Sequence, residues 1–325
     1  MSQLDILLLV LRVAFGAFVP LCFIAVLVWM ERRGAAYFQD RSGPNRANIF
    51  GFRAGGLVQN LADAVKLITK EDVVPDHIKH KFYFILAPVI VFFIAVVSFA
   101  AIPFADVLVI NGKDYIMQTI PTDLGILWFL ALAGFAVYGI ILAGWSSHNK
   151  YGVLGGLRAA AQVISYEIPM GLAIISALIV YGTVNLTEMA QFQGQLLFGI
   201  IPMWGVVLQP LGAIIFIVAA FAETNRTPFD LAEGESELVA GFHVEYSSMK
   251  FGMFFMGEYV AMFTSSALIV TLYFGGFQIP WLSTETLINH ARAISLLLMV
   301  LIPVFALFFA RWMAKNNKSH YPRVD

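Results

Sequence analysis

Long apolar runs separated by shorter polar segments dominate this chain. Runs near residues 4–30, 82–104, 121–144, 161–181, 200–222, 251–275 and 292–313 approach or exceed the roughly 20 helical residues that cross about 30 Å of hydrocarbon. The pattern predicts an all-α polytopic membrane protein with about seven transmembrane helices, forming a single membrane domain over residues 1–325. The first run is too long for a signal peptide and lacks a basic start or a small-residue cleavage site, so it is expected to stay as a span.

One polar segment has a helical period of its own. In "GGLVQNLADAVKLITKED", Leu57, Leu61, Val65 and Ile68 fall on one face, and Gln59, Asp63, Lys66 and Lys70 on the other. Such a helix lies in the membrane interface or against a partner rather than crossing. Asp63 and Lys66 are spaced either to pair with each other or to line a cleft opening from the lipid.

Composition agrees with the pattern. With 59% hydrophobic residues, 13% charged residues and 29 Phe, the chain has too little polar surface to cover a soluble globule. Its mean hydropathy of +0.79 says the same. The lipid bilayer is its expected surrounding, and no nucleic-acid partner is expected.

Charge then orients the spans. The loop over 31–81 holds Arg32, Arg33, Arg41, Arg46, Arg53, Lys66, Lys70, Lys79 and Lys81, and a loop near 145–160 adds Lys150 and Arg158. The acidic loop over 223–250 adds Arg226 and Lys250, and the tail adds Arg311, Lys315, Lys318 and Arg323. Only Arg12, Lys113 and Arg292 fall elsewhere, so the positive-inside rule makes 31–81, 223–250 and the tail over 314–325 cytoplasmic and puts the N-terminus outside.

Redox and metal chemistry find little purchase here. Cys22 is the single cysteine, so neither a disulfide nor a thiolate-ligated metal or iron–sulfur cluster can be built from this chain alone. His77 and His80 could share a helical face but sit among Asp76, Lys79 and Lys81 in what reads as a solvated loop rather than a metal site. No phosphate-binding loop, dinucleotide-binding glycine pattern or nucleophile motif appears on the cytoplasmic side, so if electrons or high-energy phosphates are involved, another subunit handles them.

Buried acids are the informative residues. Glu167, in "RAAAQVISYEIPM", and Glu258, in "FFMGEYVAMF", have apolar neighbours on both sides, and a carboxylate at that depth needs a partner or a function. For Glu167 the structural alternative is an ion pair with Arg158. The stretch "ETNRTPFDLAEGESELVAGFHVEY" gathers Glu223, Asp230, Glu233, Glu235, Glu237 and Glu245 around Arg226. Glu233 and Glu237 are spaced for one helical face, and Phe229, Leu238, Val239 and Phe242 would fold the loop back toward the membrane. Carboxylates clustered in a poorly hydrated pocket titrate as a coupled set, which is how a proton-holding site is made. At the first loop, Glu31, Arg32 and Arg33 stand at the inner end of the first span, where a basic pair is ordinarily an interfacial anchor.

These segments carry a resemblance. "ETNRTPFDLAEGESELVAGFHVEYSSMKFGMFFMGEY", preceded in order by "ERRGAAYFQDRSGPNR", "LADAVKLITKED" and "LRAAAQVISYE", resembles the membrane subunit of respiratory complex I, the proton-pumping NADH:quinone oxidoreductase, known as the H subunit in bacteria and as subunit 1 in mitochondria. The match runs from about residue 25 to 275. The resemblance implies a subunit of an oxidoreductase and translocase that has no redox centre of its own. Quinone is then the substrate, nothing is bound covalently, and flavin and iron–sulfur clusters reside in partner subunits. Its partners would be the soluble quinone-site and iron–sulfur subunits and the small membrane subunits beside it.

By the same resemblance, Arg32, Asp63, Lys66, Arg158, Arg226 and Phe229 would line a quinone tunnel. Glu31, Glu167, Glu223, Glu233, Glu235, Glu237, Glu245 and Glu258, with Tyr246 hydrogen-bonding among them, would form a line of carboxylates toward the pumping subunits. No metal ligand and no catalytic residue complete within this chain is implied. The home implied is the bacterial cytoplasmic membrane, or else the mitochondrial inner membrane. The family usually has eight spans where this chain shows seven.

Two other readings stand beside it. A homologous subunit of a membrane-bound hydrogenase would keep the fold without quinone as substrate; the unbroken acidic motif and the first loop favour complex I. A stand-alone ion transporter would be expected to show paired broken helices in two repeated halves, and the sequence has no internal repeat.

Overall fold

The computed structural model describes residues 3–50, 54–110, 112–234, 239–281 and 290–316. In chain order its elements are α1 (Gln3–Phe38), α2 (Leu57–Thr69), α3 (Lys81–Ser98), a hairpin of β1 (Leu108–Ile110) and β2 (Lys113–Tyr115), α4 (Gly125–Ser146), α5 (Lys150–Tyr181) and α6 (Leu186–Phe192). There follow a second short hairpin of β3 (Leu196–Leu197) and β4 (Ile201–Pro202), then α7 (Gly205–Leu208), α8 (Pro210–Glu223), α9 (Ser248–Tyr273) and α10 (Ala291–Asn316). The chain divides into two compact units, Met1–Ile24 with Val65–Gln278, and Ala25–Ala64 with Ile279–Asp325.

The protein is all-α and polytopic. Five helices among the described residues are long and apolar enough to cross a membrane: Asp5–Phe38, Lys81–Ala101, Gly125–Ser146, Lys150–Tyr181 and Ser248–Tyr273. The expected span over 200–222 is not one helix. Gly205, Gln209 and Pro210 break it, and Pro210 opens α8, whose 14 residues rise only about 21 Å. The expected loop over 145–160 shrinks to a turn, because α5 starts at Lys150, where the Asn149 side chain accepts from Tyr151 N. The last expected span is a helix whose apolar stretch runs over Ala293–Phe309.

In the larger unit, α5 shows why these helices pack as they do. Ile164, Ile168, Leu172, Ile175 and Ile179 stand exposed along one stripe, while Ala159, Val163, Met170, Ala173, Ile174 and Ala177 are buried on the other. Bulk faces outward and small residues face the neighbours, as expected where lipid is as apolar as the core. At the α4–α5 crossing the backbones nearly touch: a Cβ on Gly156 would lie 3.3 Å from Gly144 Cα and 3.2 Å from Ile140 O. One core gathers Phe129, Met170, Met189, Phe216, Leu268 and Tyr273; a second gathers Phe84, Ala87, Ile140, Phe242, Tyr246 and Phe254.

A buried glutamine closes one end of the first core. Gln193, 1% exposed, donates to Thr271 O at 2.7 Å and Met189 O at 3.2 Å, while its Oε1 accepts from Gly205 N at 3.1 Å and Gly275 N at 2.9 Å. It joins the end of α6, the start of α7 and the end of α9, and supplies backbone groups that would otherwise be buried without partners.

The smaller unit is built on the later part of α1 and the first part of α2. Trp29 Nε1 and Arg33 Nε both donate to Gly55 O, at 3.0 and 3.1 Å, and Asn60 Nδ2 donates to Ala25 O at 2.6 Å. Gly56 requires its φ of 104° and faces Pro44 O so closely that no side chain fits there.

Candidate functional site

Three carboxylates of the larger unit converge on one cavity of about 80 Å³. α8 delivers Glu223 at its last residue, the turn after it delivers Glu233, and α9 delivers Glu258. Thr224, Asn225, Ser98, Thr264 and Ser265 supply the other polar groups, and Phe129, Ala133, Ile140 and Phe254 the apolar wall. At Glu233 the backbone makes a turn: Glu233 N and Gly234 N both donate to Asp230 O at 3.0 Å. Glu235 and Glu237 lie outside the described residues.

A cation is supplied from the same turn. Arg226 Nη2 is 3.7 Å from Glu258 Oε2, and its Cζ lies 4.4 Å from the centre of the Tyr259 ring. Both members of the pair are largely buried, their side chains 19% and 16% exposed. Phe229, half-buried, meets Tyr166 of α5 edge-on at 5.1 Å.

Glu167 lies a little apart, its Oε1 3.5 Å from where a Cβ on Gly134 of α4 would stand. Among the described residues, Glu167 Oε1 and Glu223 Oε2 are buried without hydrogen-bond partners. The alternative pairing of Glu167 with Arg158 does not form. Nine residues of α-helix separate them by about 13 Å, and Arg158 is exposed on α5.

The turn before α9 is packed tightly. A Cβ on Gly155 of α5 would come within 2.6 Å of Gly241 Cα and C, so the two backbones are in contact. His243 is 6% exposed between the rings of Phe242 and Phe251, and burial lowers its imidazole from 6.5 to about 4. Glu245 accepts from Asn149 Nδ2 at 2.8 Å and lies 3.8 Å from His77 Nε2. Tyr246 stacks on Phe84 at 4.0 Å, its hydroxyl 3.4 Å from Ser146 Oγ, and burial raises its phenol.

His77 and His80 lie exposed in the loop before α3, as read from the sequence, and both contact the end of α4 and the turn after it. His77 Nε2 also lies 3.2 Å from Ser147 O, and His80 stacks on Trp145 with ring centres 5.4 Å apart. Both rings are held by the α4–α5 turn.

In the smaller unit, Arg32 donates to Asp63 and to Asn60 Oδ1, the latter at 3.4 Å, and Gln59 Nε2 supports Asp63 Oδ1 at 3.4 Å. Arg32 is thus more than an interfacial anchor: α1 and α2 meet through it. Glu31, beside it, is exposed. Lys66, within the larger unit, is exposed on the second half of α2.

Comparison with known proteins places this architecture. The family model described as NADH dehydrogenase matches residues 11–321. The H subunit of NADH-quinone oxidoreductase from Salinibacter ruber is 44% identical over 315 residues, covering 92% of this chain and 86% of the relative. The corresponding H subunit from Bdellovibrio bacteriovorus is 44% identical over 292 residues, covering 84% and 74%, and NADH-quinone oxidoreductase subunit 8 of Rhodothermus marinus is 44% identical over 300, covering 89% and 82%. The chain belongs to the NADH-quinone oxidoreductase H-subunit family.

In this family member two polar side chains outside the cavity lining tie the elements around it together. Gln162 Nε2 donates to Ala222 O and Asn225 Oδ1 at 3.0 Å and to Phe229 O at 2.8 Å, tying α5 to the turn that carries Arg226. Asn225 in turn reaches Glu233 Oε1 at 3.5 Å. Lys250 is 7% exposed and pairs with Asp72 at 2.9 Å. The only signal for Gln162 was its position among apolar residues of α5, and for Lys250 its place in the first turn of an apolar helix.

Proposed function

We propose that this chain is the membrane subunit of a proton-pumping NADH:quinone oxidoreductase. It forms part of a quinone-access tunnel and couples quinone reduction to proton movement through its carboxylates. The supporting observation is the convergence of Glu223, Glu233 and Glu258 on one cavity, with Arg226 against Glu258. When charge changes at the quinone end, a coupled set of acids in a poorly hydrated space responds by shifting protons or conformers. Arg32, Asp63, Lys66, Arg158, Arg226 and Phe229 belong to the tunnel in this reading. Glu31, Glu167, Glu223, Glu233, Glu235, Glu237, Glu245 and Glu258, with Tyr246, form the proton-coupling line.

Flavin and iron–sulfur centres then belong to partner subunits, as do the soluble walls of the quinone site. The protein sits in a bacterial inner membrane with its N-terminus outside. The first loop and the acidic loop face the cytoplasm, and α2 lies in the interface.

The test is to solubilise the native membrane gently, isolate this chain with its associated proteins, and assay NADH-driven quinone reduction that a tunnel-blocking inhibitor stops. Glu235→Gln should then slow reduction and pumping while leaving assembly largely intact. Copurification with a nickel hydrogenase, or full activity in that variant, would overturn the reading.

A further inference from the structure

The first turn of α9 holds two separate grips on the segment that follows α2. Ser248 Oγ donates to the carbonyl oxygens of Leu67 at 3.0 Å, in the last turn of α2, and of Lys70 at 2.9 Å, just beyond it, where carbonyls lack a helical partner. Two residues on, Lys250 Nζ lies 2.9 Å from Asp72 Oδ1 and 3.4 Å from Val73 O. The same ammonium stands 5.2 Å from the centre of the Phe84 ring, and Phe84 stacks at 4.0 Å on Tyr246 with the ring planes 9° apart.

The burial of this pair is lopsided. Lys250 is 7% exposed, whereas the Asp72 side chain is 57% exposed. A lysine stem normally snorkels so that its ammonium stays wet. Here the ammonium is drawn inward and held by a carboxylate, a carbonyl and an aromatic face, an arrangement whose desolvation is compensated only while all three stay in place. One buried cation therefore fixes three things together: the stretch after α2, the Phe84–Tyr246 stack, and the start of the helix that carries Glu258 eight residues further on, about 12 Å along the axis.

We propose that Lys250 is a positioning residue that locks the end of α2 and the Tyr246 turn to α9, so that a displacement at α2 reaches the carboxylates of the cavity. This rests on the proposed quinone-coupled function of those carboxylates. Lys250 touches neither the cavity nor Lys66 in this arrangement; it acts through Asp72, Phe84 and Tyr246.

The experiment uses the assembled complex in membranes, with Lys250→Met, Lys250→Arg, Asp72→Asn and the Lys250→Met/Asp72→Asn double variant. Turnover per assembled complex and protons moved per electron are both measured. Removing the cation in Lys250→Met is expected to lower turnover roughly fivefold or more and to lower the proton-to-electron ratio, the size of effect typical of a coupling contact. Lys250→Arg, which keeps the charge, recovers most of both. Asp72→Asn lowers both less, and the double variant matches Lys250→Met because the two act through one contact.

A purely structural lysine would reduce the amount of complex and leave both ratios unchanged in what assembles, and that result would overturn the proposal. So would additive effects in the double variant. Should Lys250→Met fail to assemble, Asp72→Asn still decides: an unchanged proton-to-electron ratio and turnover in that variant would refute the lock. Absence of inhibitor-sensitive quinone reduction in the unaltered complex would instead refute the proposed function itself.

Discussion

Arg226 and Glu258 face each other at 3.7 Å inside a largely apolar helix bundle, with the guanidinium also lying 4.4 Å from the Tyr259 ring centre. One cation thus serves two consecutive residues of α9. Arg226→Met leaves a carboxylate at that depth without this partner, and we expect a loss of about 2–4 kcal/mol. Arg226→Lys keeps the charge but not the flat face, and should lose about 1 kcal/mol. Thermal melting of the solubilised protein checks this, and equal losses in the two variants would show that planarity rather than charge matters.

The imidazole of His243 gives the fold a pH limit. Its proton affinity is lowered from 6.5 to about 4 by burial, so between those values the unfolded chain binds more protons than the folded one. Its contribution is fully present above about pH 7 and is lost as the pH falls toward 4, for a total of roughly 3 kcal/mol at about 1.4 kcal/mol per unit. His243→Phe should flatten the melting temperature over that window. A slope unchanged by the substitution would assign the acid sensitivity to other groups.

Gly155 tests how closely α5 and the turn before α9 approach. Its Cβ would meet Gly241 backbone atoms at 2.6 Å, and backbone on both sides leaves little room to yield. Gly155→Ala should cost about 1–3 kcal/mol and disturb the turn carrying Glu245 and Tyr246. Gly171→Ala, on the same helix with nothing within 4 Å, should be neutral or stabilising by up to about 1 kcal/mol. Melting temperatures of the two variants would separate packing from helix propensity.

What the sequence revealed and what it hid follow from the physics of each residue. Glu167 and Glu258 were legible because a charge within an apolar run cannot be bland, and α2 was legible from its alternating faces. The pairing of Arg226 with Glu258 was not, because it is a tertiary contact between a turn and a helix that no spacing encodes. The glycines of "KYGVLGGL" read as loop, yet Gly152, Gly155 and Gly156 are the contact surface of α5, where small residues let backbones meet. The run over 200–222 was read as one span because hydropathy does not register the break at Gln209 and Pro210. Only the fold shows His77 beside Glu245 and Lys250 buried on Asp72, since both contacts join segments far apart in the chain.

Gln162 offers the sharpest test of the cavity's polar scaffold, because its amide nitrogen points only at oxygens. Ala222 O, Asn225 Oδ1 and Phe229 O all lie within 3.0 Å of Nε2. Gln162→Ala removes the donor and leaves these acceptors short of a partner, which should cost about 1–3 kcal/mol. Gln162→Glu keeps the shape but puts a carboxylate oxygen where the donor stood, against three oxygens and close to Glu233 through Asn225. The isosteric change should therefore be the more harmful at neutral pH, with part of the loss regained on acidification, when a protonated carboxyl can again donate. Melting curves of both variants at pH 7 and pH 5 distinguish the cases. If Gln162→Glu proved the milder change at pH 7, this amide would not be the donor that holds the turn to α5.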